Sequence, residues 1–237
     1  DLQAGPGKNI ISATGEIVLG SPLLALTADP PFTGYYFAEL DQQNARALQE
    51  RCSQSPYQSR VTMYVQDCNV AVADIVTLLN RNDLYSLNLA FLDPEGFELK
   101  WSTVATLASV RRMDLIINYP EGGLNRLMRI AWTEERDTPV DQFFGTRDWR
   151  QIYADYLERR TFGVHRRLID LYQNRLRSLG YQEVIQADQL AVEPLMRNTV
   201  RNAPLYRLIF ASKSQLGNKF WREVTKRDLF GQKGLFE

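Results

Sequence analysis

Between Gly34 and Tyr119 two kinds of segment alternate: a short apolar run with an acid or a turn at its end, and then a segment with apolar residues three and four apart. The runs are GYYFAEL, RVTMYVQ, LNLAFL and MDLIINY, and the segments between them are NARALQERC, VAVADIVTLLNR and WSTVATLASVRR. A period near two followed by a period near 3.6 reads as strand then helix. A strand that returns through a helix lies parallel to its predecessor, so this rhythm predicts an α/β fold with a doubly wound, mostly parallel sheet.

Before the first of these runs, DLQAGPGK reads as a strand end running into a glycine turn, and KNIISATGEIVLG as a hairpin with Thr14 and Gly15 at its tip. SPLLAL reads as a helix with Ser21 as N-cap and Pro22 as its first residue. The chain opens inside what reads as the first strand, so that strand is expected to be truncated at Asp1. After the last run, residues 123 to 156 are too long for a simple connection and rich in Arg, Trp, Asp and Phe, and are expected to form a helical insertion. A long amphipathic helix, FGVHRRLIDLYQNRLRSLG, is followed by strand-like YQEVIQ, AVEPLMRN and APLYRLIFAS, and by a closing helix from Leu216. No repeat or linker interrupts the 237 residues, which read as one domain.

Bulk properties narrow the chemistry. Lysine plus arginine and aspartate plus glutamate both number 28, so net charge asks for no polyanionic partner. Only Cys52, Cys68 and His165 are available as soft or imidazole ligands, with no CxxC, so neither a zinc site nor a histidine-dependent triad is expected. No apolar run reaches the roughly 18 residues of a membrane span, and the cysteine usage is read as that of a reducing cytoplasm. The arginines of TRDWR and RRTFGVHRR are candidates for phosphate contact or, more simply, a solvated helix face. His165 reads as a solvated or capping side chain.

The candidate site is a series of strand ends. Ala4, Gly5, Pro6 and Gly7 form a turn whose missing side chains let backbone approach a ligand. Glu39, with Asp41 two residues on, is suited to a ribose diol, Asp67 to an exocyclic amine, and Asp93 stands at the fourth end, before Pro94 and Glu95. A nicotinamide fingerprint would open its helix directly from the glycines and place an acid about 20 residues on; here the helix opens at Ser21 and Glu39 lies further along. The order of glycine turn, ribose acid, adenine acid and Asp-Pro fits an adenosylmethionine site better than a dinucleotide site.

The motifs DLQAGPG, GSPLLAL, FAELD, DCN, FLDPEGFELKW, INYPEGGLNR and LYRLIFASKSQLGNKFW together resemble the three-Cys-motif partner protein family over nearly the whole chain. The resemblance implies a class I methyltransferase-like sheet with an antiparallel C-terminal strand, S-adenosylmethionine as cofactor, and a protein with a radical-SAM-like three-cysteine motif as partner. It implies cofactor contacts from Asp1 and Gly5 to Gly7, Glu39 on the ribose, Asp67 and Cys68 near the adenine, and Asp93 and Pro94 facing the methyl donor. Asp93 would position or deprotonate the acceptor, assisted by Glu95 or Glu121. Methyltransferases acting on base amines usually continue this loop as Pro-Pro-aromatic; here Glu95 replaces the second proline, Gly96 takes the aromatic position and Phe97 comes one residue late. Two functions therefore stand side by side: methyl transfer, with a nucleic-acid base amine among the acceptors, and a non-catalytic partner subunit.

Overall fold

The computed structural model describes residues 1–11, 14–82, 85–181, 195–197 and 204–224. The chain is α/β and divides into two compact units, Asp1–Leu84 with Ala90–Asp93, and Tyr85–Leu89 with Pro94–Glu237.

In the first unit the glycine turn leads into an antiparallel ribbon, β1 (Lys8–Ile10) and β2 (Ile17–Leu19), with Lys8 opposite Leu19 and Ile10 opposite Ile17. Its tip closes where Thr14 and Gly15 both donate to the Ile11 carbonyl, as the sequence suggested. Helix α1 (Ser21–Leu26) follows, with Gly20 and not Ser21 as its N-cap. Ser21 is already helical, and its hydroxyl donates to Asp1 Oδ2 at 2.6 Å instead of capping the helix. Then come β3 (Tyr35–Ala38), α2 (Gln42–Cys52), β4 (Val61–Tyr64) and α3 (Cys68–Asn82). Strands β3 and β4 are parallel, with Tyr35 opposite Val61 and Ala38 opposite Tyr64. Leu2 pairs in parallel with Ala38 on one side and with Leu92 on the other, the last residue of β5 (Asn88–Leu92). Ala4, Leu23, Leu26, Tyr35, Phe37, Leu48 and Cys52 form one core under this sheet. Alternation within YYFA sends Tyr35 and Phe37 into that core, so the neighbouring strand ends are held in register.

The second unit contains α4 (Trp101–Ala108), β6 (Met113–Tyr119), α5 (Glu121–Ala131), α6 (Pro139–Phe144), α7 (Asp148–Leu157), α8 (Val164–Ser178), β7 (Leu195–Arg197), β8 (Pro204–Ala211) and α9 (Gln215–Val224). β8 lies between β6 and β7 and is antiparallel to both, with Tyr119 and Leu195 each opposite Arg207. Apart from Tyr181, the proposed strand YQEVIQ lies outside the described residues, whereas AVEPLMRN contributes β7. Residues 123–156 are helical as expected, made of most of α5, α6 and most of α7.

One carboxylate organises that helical stretch. Thr138 and Asp141 cap α6 reciprocally, and Asp141 Oδ1 accepts from Trp149 Nε1 at 2.9 Å and Arg150 Nε at 3.0 Å, while Oδ2 accepts from Arg150 Nη2 at 2.6 Å and Thr138 Oγ1 at 2.8 Å. Burial would raise the Asp141 pKa, but the Arg150, Thr138 and Trp149 hydrogen bonds outweigh it and bring it down to about 2. Arg150 also donates to the carbonyls of Trp132 and Glu134, and Arg147 to that of Glu135. These two arginines, whose run reads from sequence as candidate phosphate contacts or a solvated helix face, instead tie the helices and their connections together. Further on, Arg160 pairs with Glu158, Arg166 with Asp170 and Arg167 with Asp155. No helix among the described residues is long and apolar enough to cross a membrane.

Candidate functional site

In the first unit the carboxyl ends of parallel segments put the sequence-predicted residues along one edge of the sheet. Glu39 follows Ala38 directly, Asp93 follows Leu92 directly, and Asp67 lies three residues beyond Tyr64, which is paired with Ala38. Leu2, paired with both Ala38 and Leu92, delivers the glycine turn to the same edge. An open α/β sheet binds ligands at such an edge, because loops of neighbouring strands diverge there and leave a crevice.

Glu39 is the centre of the arrangement. It is 9% exposed, its N–H donates to the Tyr64 carbonyl at 3.0 Å, and its two carboxylate oxygens are divided between two loops. Oε2 accepts the Gly5 N–H at 2.7 Å and Oε1 the Asp41 N–H at 2.8 Å. A carboxylate offers about four acceptor directions. Glu39 therefore fixes the glycine turn to the end of β3 and still keeps acceptor capacity on each oxygen.

Two conformational requirements shape the turn. Gly5 and Gly7 lie at φ of 62° and 81°, a region that costs an L side chain roughly 1–2 kcal/mol. At Gly7 there is also no room: a Cβ would come within 2.8 Å of Leu48 Cδ1 and 3.0 Å of Leu23 Cγ, both core residues, whereas one at Gly5 meets nothing within 4 Å. The Gly7 carbonyl accepts from Gly20 at 2.8 Å and closes the base of the ribbon, and Arg51 donates to the Pro6 carbonyl. Ala4 is buried and donates to the Ala38 carbonyl at 2.9 Å. Replacing Gly7 by alanine is expected to cost about 2–4 kcal/mol, from left-handed strain plus overpacking of Leu23 and Leu48, read as a lower urea midpoint at constant slope. Gly5→Ala, with strain alone, is expected to cost about half as much.

The flanking acids divide their work. Asp41 caps α2, its Oδ1 accepting from Gln43 and Asn44 at 2.9 and 2.8 Å, so its first role is structural. Asp67 stands before α3 and accepts through Oδ1 from the Asn69 N–H at 2.7 Å and its amide at 2.8 Å; no donor among the described residues reaches Oδ2. Cys68 is buried at the first position of α3. Asp1 accepts from Ser21 on Oδ2, while Oδ1 is buried with no donor among the described residues. The Gln3 amide oxygen is buried in the same condition. Buried acceptors without donors are rare in proteins, which sets Asp1 and Gln3 apart from the residues around them.

Asp93 is half-buried at the end of β5 and belongs with this unit. Described within the second unit, Pro94 is buried, Glu95 is exposed and the Gly96 N–H donates to Glu98 Oε2 at 2.8 Å. Phe97 is 5% exposed and packs edge-on against Phe143 at 4.9 Å, so it presents no face to a planar ligand. Glu121, the other acid considered as an assistant, is buried in an ion pair with Arg207 at 2.9 Å. His165, read from sequence as solvated or capping, is half-buried; burial lowers its pKa, the nearby Glu121 opposes that and Arg207 reinforces it.

Sequence reasoning missed Gln3, Ser21 and Arg51. Their contacts with this turn bridge 35, 20 and 45 residues, to Ala38, Asp1 and Pro6. Among the described residues, no group of three or more His, Cys, Asp and Glu side chains is placed to hold a metal ion. No protein-family model matches the chain, and no curated protein matches it.

Proposed function

We propose that the protein is an S-adenosylmethionine-dependent methyltransferase with the doubly wound class I sheet. The observation that carries this reading is Glu39, buried at the end of β3 and clasped between the Gly5 and Asp41 amides with acceptor capacity to spare. Strand order supports it as well: β4, β3, Leu2 and β5 run parallel in the first unit, and β8 runs antiparallel between β6 and β7 in the second.

The residues present fit the ligand. Asp1 Oδ1 would accept from its ammonium, the remaining lone pairs of Glu39 from the two ribose hydroxyls, and Asp67 Oδ2 from the adenine amine, with Cys68 beside it. Ala4, Gly5, Pro6 and Gly7 carry little side-chain bulk along the approach. When bound, the cofactor supplies an electrophilic methyl group on a sulfonium. The protein's part is to orient the acceptor in line and to manage its proton. Asp93, one residue past β5 in the unit that carries Glu39 and the glycine turn, is the acid for that task. Titration calorimetry with adenosylhomocysteine tests the reading: saturable one-site binding is expected, and no heat at millimolar ligand with folded protein overturns it. Asp93→Ala is expected to keep adenosylhomocysteine affinity within about twofold and to lower methyl transfer by about 100-fold or more, measured with labelled donor.

A second reading, favoured by burial of Phe97 and by the Glu98 clasp on Gly96, is a non-catalytic subunit that binds a three-cysteine-motif, radical-SAM-like protein. A base-amine methyltransferase would keep an aromatic face open beside Asp93. Co-purification of the two proteins without methyl transfer supports this second reading, and robust transfer by the isolated chain to nucleic acid or protein counts against it.

A further inference from the structure

Gln3 departs from its surroundings in two ways at once. It sits at φ 80°, and the only other non-glycine residue with positive φ among those described is Arg159, just past the end of α7 where helices commonly terminate. The Gln3 conformation is enforced: its N–H and that of Ala4 both donate to the Ala38 carbonyl at 2.9 Å, which pins the chain as it passes from the Leu2 pairing into the glycine turn. Its side-chain Oε1 is buried and accepts from nothing among the described residues. Glycine would make this turn without strain and would bury no amide oxygen. A side chain that is unfavourable on both counts points to a ligand contact.

The type of contact follows from the atoms. Asp1 Oδ1, two residues earlier, is a second buried acceptor without a donor among the described residues, and its Oδ2 is held by Ser21 at 2.6 Å. A carboxylate oxygen and an amide oxygen on one strand end call for a group with several donors and a positive charge, and an ammonium has three N–H donors and no acceptor. We propose that Gln3 is a specificity-determining residue that accepts a hydrogen bond from the ammonium of an amino-acid-bearing nucleoside, alongside Asp1. This rests on the reading given under the proposed function, and it adds that the site selects for the amino-acid end of its ligand through a side chain at a position where glycine would be the relaxed choice.

Two ligands separate the two ideas: adenosylhomocysteine, which has the amino-acid end, and 5′-methylthioadenosine, which lacks it. By titration calorimetry, Gln3→Gly is expected to weaken adenosylhomocysteine about tenfold, the loss of one charge-assisted hydrogen bond, and to leave methylthioadenosine within about twofold. The same variant is expected to raise the Tm by a few degrees, about what relief of left-handed strain gives in a domain of this size, which also shows that it folds. Gln3→Glu, which keeps an acceptor there, is expected to retain adenosylhomocysteine binding. Unchanged adenosylhomocysteine affinity in Gln3→Gly overturns the assignment, as does an equal loss for both ligands, which would make Gln3 part of the turn alone. If the wild-type protein binds neither ligand, the proposed function itself fails, and the role of Gln3 falls with it.

Discussion

Asp141→Ala is expected to destabilise the protein by about 3–5 kcal/mol, the largest effect of any single substitution considered. Asp141 is 3% exposed and accepts from Thr138, Trp149 and Arg150, so its removal leaves the indole N–H without its acceptor and a largely buried guanidinium without its counter-charge, held only by the Trp132 and Glu134 carbonyls. Urea denaturation followed by tryptophan fluorescence measures this directly, because Trp149 is itself a partner. A cost below about 1 kcal/mol would mean that the pair is no better than an exposed one. The same carboxylate sets an acid limit. Its pKa is held at about 2 in the folded chain against about 4 in an unfolded one, so the folded state binds fewer protons across that interval. Its contribution, about 2 kcal/mol, is complete above pH 4 and is lost as pH falls through about 2. In Asp141→Asn the slope of stability against pH between these limits is expected to be shallower.

Glu39→Ala is expected to act on both stability and binding. Two backbone N–H groups, of Gly5 and Asp41, lose their acceptor, at about 1–2 kcal/mol each after water has partly replaced it. Under the proposed function, adenosylhomocysteine affinity is expected to fall by about 100-fold or more, because the ribose would lose its acceptor and the glycine turn loses the bond that fixes it to β3. Glu39→Gln separates the two effects. An amide has one acceptor oxygen and an NH2 that would face a backbone N–H, so one loop stays attached, stability is partly restored and binding stays weak. If Glu39→Gln binds adenosylhomocysteine like the wild type, Glu39 serves the fold only.

Much of this site was legible in the chain because its signals are local. An apolar run of four to seven residues followed by an acid marks a strand end whatever surrounds it, and Glu39, Asp67 and Asp93 were found in this way. The glycine turn was legible for the same reason, since Gly5 and Gly7 are called for by backbone angles within the turn. Ser21 was misread because its sequence context, before proline and an apolar run, is that of an N-cap, whereas the acceptor that draws its hydroxyl away lies twenty residues earlier at Asp1. Arg150 was misread because an arginine in a charged run looks solvated until Asp141 and the carbonyls of Trp132 and Glu134 are brought around it. The Phe97 ring could be counted in the sequence as a displaced aromatic, but its burial against Phe143, 46 residues on, could not.

By itself the sequence determined the α/β alternation, the strand ends and the chemistry of the residues that stand there, because periodicity, proline, glycine and capping preferences act over a few residues. The tertiary structure alone decided which of those residues meet. It attached the glycine turn to Glu39, buried Asp1 Oδ1 and Gln3 Oε1 away from any donor among the described residues, withdrew Phe97 into a core and turned two arginines from surface charges into helix ties. The physical reason is range: a hydrogen bond or a buried ring depends on what folding places within a few ångströms, and the partners here lie 8 to 46 positions apart in the chain.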